Sequence, residues 1–174
     1  AQKCPPDQQE AAARLMLRSV AMAAQEKTTT FDKGPALERV LVLLADGPRV
    51  RENGDIFINY ASDIVAVLTK AGTAQRSSLL VALNTALDKL SDDASLSKAD
   101  QLGAVQAKVA LASMDAPKDA KPELSAELVA QAQAAANKAD TSSTDKYERQ
   151  AVIPSAAHLL TVIGLVDASD AMLK

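Results

Sequence analysis

Leu79, Leu80, Leu83, Leu87 and Leu90 recur at the three- and four-residue spacing of an α-helix, inside the segment TAQRSSLLVALNTALDKL. That period gathers them on one side of a helix, whereas a strand would scatter them over both faces of a sheet. The same period returns along the whole chain. Residues 8–27 read as an amphipathic helix, with Ala12, Leu15, Met16, Val20 and Ala23 on one stripe and Arg14, Arg18 and Gln25 on another. QLGAVQAKVALASM has Leu102, Val105, Val109 and Ala112 in register, and ELSAELVAQAQAAANKA has Leu124, Leu128, Ala132 and Ala135. Val152, Ala156, Leu159, Leu160 and Ile163 form a further stripe, and VDASDAMLK reads as a short last helix.

Punctuation residues set the helix ends. Asp7 with Glu10, and Ser97 with Asp100, match the pattern in which a side-chain oxygen accepts from the first free N–H groups of a helix. Pro35 suits a first helical position, and the helix ALERVLVLLAD is expected to stop at Gly47-Pro48. DIFINYASDIVAVLTKAG places Phe57, Tyr60, Ala61, Ile64 and Leu68 on one face and Ile58 and Val65 on another, so it should be the most buried helix. IFINY by itself also fits a short strand. Pro154, inside the stripe that ends at Gly164, is expected to kink or break its helix.

These segments give an all-α fold of seven or eight antiparallel helices in irregular helical hairpins, a bundle or a tetratricopeptide-like array without a strict 34-residue repeat. The 174 residues are read as a single helical domain, 1–174, or a fragment of a longer chain. The 35 alanines and 2% aromatic content suit close helix packing through small side chains.

Charge and composition exclude several classes. Nineteen basic against 22 acidic residues leave a net charge of −3, with no basic cluster and few aromatics to stack on bases, so nucleic acid is not expected as a partner. The longest apolar run, Val40–Ala45, is far short of the ~18 residues that a membrane span requires. The first residue is Ala1 and not Met, which leans towards a cleaved leader and a periplasmic or secreted location.

Catalytic constellations are missing. Cys4 is the lone cysteine, and Asp7 stands where a C-x-x-C motif would place a second thiol, so Cys4 reads as an inert or dimer-forming thiol in the lead-in to a helix. His158 is the single histidine, beside Leu159 and Leu160, with no nucleophile motif around it. RVRENGDIFINY fails as a calcium loop because Arg49 and Arg51 would occupy ligand positions. Asp92-Asp93 and Asp167 with Asp170 read as solvated helix ends. The expectation is no enzyme, no catalytic, cofactor-binding or metal residues and no cofactor.

DKYERQAVIPSAAHLLTVIGLVDASDAMLK, and more broadly residues 123–174, resembles the helical C-terminal region of thioredoxin-family proteins that bacteria export to the periplasm. The similar positions are Tyr147, Glu148, Arg149, Gln150, Ala151, Val152, Ala156, Ala157, Leu159, Leu160, Gly164, Leu165, Asp170 and Leu173. The resemblance implies a partner-binding or spacer region that accompanies a thioredoxin fold, since neither a βαβ pattern nor C-x-x-C is present here. The leading expectation is a non-enzymatic helical protein-interaction domain of an exported bacterial protein, binding a protein or peptide in a groove between hairpins. The alternatives are an accessory region of a thioredoxin-like thiol-disulfide oxidoreductase, or a structural bundle that homodimerises.

Overall fold

A computed structural model describes residues 6–25, 33–68, 73–116, 123–142 and 146–174. Within them the chain is all-helical: α1 (Pro6–Gln25), α2 (Lys33–Ala45), α3 (Gly47–Glu52), α4 (Gly54–Leu68), α5 (Thr73–Asp92), α6 (Lys98–Ser113), α7 (Ala126–Ser142), α8 (Lys146–Val162) and α9 (Val166–Met172). IFINY is part of α4 and not a strand. The chain divides into two compact units, Ala1–Ala86 and Leu87–Lys174.

The helix that the sequence reading misses is α3. Gly47-Pro48 starts a helix as well as ending one, because a proline in the first turn gives up an N–H that has no intrahelical partner anyway. Asp46 caps the new helix by accepting from the Arg49 N–H at 3.5 Å, and its other oxygen pairs with Arg49 Nε at 3.3 Å. At the far end Asn53, only 1% exposed, donates from Nδ2 to the Arg49 carbonyl, while its own backbone carbonyl accepts from Ile56 and Phe57 to open α4.

In the first unit, α4 packs against α1, α2 and α3. Contact on several sides explains why Ile56, Phe57, Ala61, Ile64, Val65, Val67 and Leu68 are all buried. Among the described side chains of α1, Leu17 and Val20 are buried whereas Ala12 and Leu15 are exposed, contrary to the stripe expected from sequence, of which Ala23 lies outside the described side chains. Burying Leu17 and Val20 sets the rotation of α1 and turns Leu15 outward, and Arg14, one turn before Leu17, bonds Asp55 of α4.

In the second unit, α7 packs against α6 and α8, α6 also meets α8, and α8 meets α9. Alanines make the α7 contact close: Ala132, Ala136 and Ala139 are buried among Leu102, Val105, Val109, Leu159 and Leu160. Polar rungs set the register. Lys138 donates to Gln101 Oε1 at 3.3 Å, and Lys108 donates to Gln131 Oε1 at 2.5 Å. Two turns forward on α6 correspond to two turns back on α7, so the helices are antiparallel. Gln106 Nε2 donates to the Ser155 carbonyl at 2.9 Å and ties α6 to α8. With neighbours on both sides, α6 buries Gln101, Ala104, Ala107 and Leu111 in addition to its expected stripe, while Ala112 stays exposed.

The break expected at Pro154 is absent, since α8 runs through it. Pro154 sits on the exposed face, where the Gln150 carbonyl that loses its N–H partner can turn to water. The helix ends where Gly164 adopts φ 87°. The Leu165 N–H donates to the Leu160 carbonyl at 2.8 Å and the Gly164 N–H to the Thr161 carbonyl at 3.0 Å, the paired bonds of a Schellman cap.

Candidate functional site

An open cleft of about 340 Å³ lies in the first unit, lined by Arg18 and Met22 of α1 and by Asp55, Ile56, Asn59 and Tyr60 of α4. Helical spacing assembles it. Arg14, Arg18 and Met22 follow one another at four-residue steps along one edge of α1, and Asp55 and Asn59 do the same on α4.

Arg14 anchors the wall. Its Nη2 lies 2.7 Å from Asp55 Oδ2, and its Nη1 donates to the Glu52 carbonyl at 2.8 Å. The guanidinium thereby satisfies a free carbonyl at the end of α3 and neutralises the acid in the first turn of α4. Asn59 Nδ2 donates back to the Asp55 carbonyl at 2.7 Å. Among the described residues, no hydrogen bond or ion pair occupies the guanidinium of Arg18, which is exposed. Ile56 forms a buried floor, Tyr60 is half-buried and Met22 is 57% exposed at the rim. Leu15, 68% exposed, lies one turn before Arg18 on the same outer stripe of α1.

The arrangement offers a cation, an amide, a phenol and apolar walls, which suits binding. It lacks a nucleophile with a neighbouring base. Among the described residues no group of three or more His, Cys, Asp or Glu side chains comes together to hold a metal, and no helix is long and apolar enough to cross a membrane.

The residues that the sequence singles out for possible chemistry are dispersed. His158 is exposed on α8, and Asp167 and Asp170 are exposed on α9. Asp93 shapes the turn after α5, where its Oδ1 accepts from both the N–H and the hydroxyl of Ser95. Ser97 caps α6 as expected, accepting from the Asp100 N–H at 3.1 Å. None of these borders the cleft. Cys4 and the side chains of Asp7 and Glu10 lie outside the described residues. From sequence the cleft residues read only as one polar stripe and one buried face. The signal that could have found them is an apolar, basic, apolar series at Leu15, Arg18 and Met22 on a single helical stripe.

No protein-family model, curated protein or solved structure matches the chain. Val152, Ala156, Ala157, Leu159 and Leu160 are buried in the second unit, so their spacing serves packing.

Proposed function

We propose that this chain is a non-enzymatic helical interaction domain of an exported bacterial protein, and that it binds a protein or peptide through the α1–α4 cleft. The observation that carries the reading is the cleft itself, an open groove between two helices with polar and apolar walls, with Met22 exposed at its rim and Leu15 exposed on the same stripe of α1. Large side chains left in water beside a concave surface are a common mark of a partner site. The consecutive helices α6 to α9, joined as hairpins, serve as a tetratricopeptide-like scaffold in this reading. The resemblance of residues 123–174 supports a periplasmic location.

Panning the chain against a random-peptide library tests the proposal. Enriched peptides should shift backbone amide resonances of α1 and α4. A library that yields no binder, or binders whose shifts fall wholly on other helices, ends this assignment.

A further inference from the structure

We infer that the α1–α4 cleft selects an acidic segment of a partner protein, a carboxylate flanked by apolar side chains, with Arg18 as the group that receives the acid. This inference rests on the interaction reading above and adds the chemistry of the ligand.

The two arginines along this edge of α1 differ in what they are doing. Arg14 is held by Asp55 and the Glu52 carbonyl. Asp55 is thereby taken up, while Arg18, one turn away, brings an exposed positive charge into the cleft. A guanidinium presents a planar fork that matches a carboxylate in two-point contact. Asn59 and Tyr60 add an amide and a hydroxyl to the same cleft, and both can donate to an oxygen.

Apolar groups flank this charge in two directions. Leu15 and Met22 lie before and after Arg18 on the outer stripe of α1, and Ile56 lies beneath the cleft. A partner residue on either side of the acid would therefore meet apolar surface, which excludes water from the ion pair and strengthens it. A second copy of the chain is a poorer occupant. A twofold contact through this face would set the same patch against itself and bring the Arg18 charges together.

The test uses the full chain in two parallel library selections, one on the wild type and one on Arg18→Glu, with Arg18→Gln measured against individual wild-type binders. Wild-type binders should carry Asp or Glu between apolar residues, bind Arg18→Gln about tenfold more weakly, and lose affinity as salt rises. Arg18→Glu should select Lys or Arg at the same place. Because Arg18 is exposed, both variants should keep the wild-type helical circular dichroism. Binders that show no acidic preference, or that bind Arg18→Gln with wild-type affinity, overturn the carboxylate assignment while leaving the cleft as a binding site. Failure to select any binder removes both.

Discussion

Gln131 on α7 accepts a hydrogen bond from the ammonium of Lys108 on α6 at 2.5 Å, and the same ammonium pairs with Asp88 on α5. Gln131 Nε2 donates in turn to Asp88 Oδ1 at 3.2 Å, so three helices meet at one closed set of polar contacts.

The members of that set are unequally buried, with side-chain exposures of 11% for Lys108 and 47% for Asp88. Removing the acid strands a nearly buried cation, whereas removing the cation leaves an acid that water can reach. Asp88→Ala should therefore cost more than Lys108→Met, about 1–2 kcal/mol against about 1 kcal/mol or less. The double variant should be more stable than Asp88→Ala alone. Urea denaturation of the three proteins checks this, and the reverse order would mean that the bond from Lys108 to Gln131 contributes more than the pairing with Asp88.

Alanine on α7 sets a second expectation. Ala136 is fully buried, while Ala134 on the same helix is exposed. A leucine at 136 has no room unless α6 or α8 moves away, so Ala136→Leu should destabilise by about 1–3 kcal/mol. Ala134→Leu should change stability by less than about 0.5 kcal/mol. Equal melting temperatures for the two variants would show that the α7 contact is loosely packed.

Helix type and most helix positions are legible from sequence because the apolar period is local, and the Ser97–Asp100 cap is legible because its partners are three residues apart. What escapes depends on distant partners. The outward turn of Leu15 follows from the burial of Leu17 and Val20 instead, a choice between overlapping apolar series on α1 that only the helices packed against it settle. The burial of Gln101 follows from the carbonyls of Asp93 and Leu96 that its amide satisfies, and from the Lys138 that bonds its oxygen. α3 escapes for a local reason, since a Gly-Pro pair both ends and begins helices and only the capping Asp46 resolves which. The cleft is invisible in sequence because it lies between helices that are separated by two others in the chain.

Two glycines should respond differently to alanine. Gly164 holds φ 87°, where a Cβ crowds the following carbonyl, and Gly164→Ala should cost about 1–2 kcal/mol. A Cβ built on Gly47, at the start of α3, meets nothing within 4 Å. The next residue is Pro48, whose ring crowds the Cβ of a helical residue before it, so the gain from a less free unfolded chain is offset and Gly47→Ala should change stability by less than about 0.5 kcal/mol. Thermal melts of the pair decide it, and a larger loss at Gly47 would point to a constraint that the surrounding space does not reveal.

The last expectation concerns α9, a seven-residue helix whose capping position, Leu165, supplies no side-chain acceptor. So short a segment has little helical stability of its own. Ser169, 4% exposed, holds it to α8: its hydroxyl donates to the Ala157 carbonyl at 2.8 Å and accepts from the Thr161 hydroxyl at 3.0 Å. In Ser169→Ala the Ala157 carbonyl keeps its backbone partner within α8, so no buried group is left without a bond and the global loss should be only about 1 kcal/mol. The local loss should be larger in proportion. Amide hydrogen exchange should quicken at Ser169 to Leu173 while α6 and α7 keep wild-type protection, because α9 can open without them. Equal acceleration in all four helices would instead show that the second unit opens only as a whole, and unchanged exchange at α9 would show that Leu165 and Met172, packed on the core, suffice to hold it.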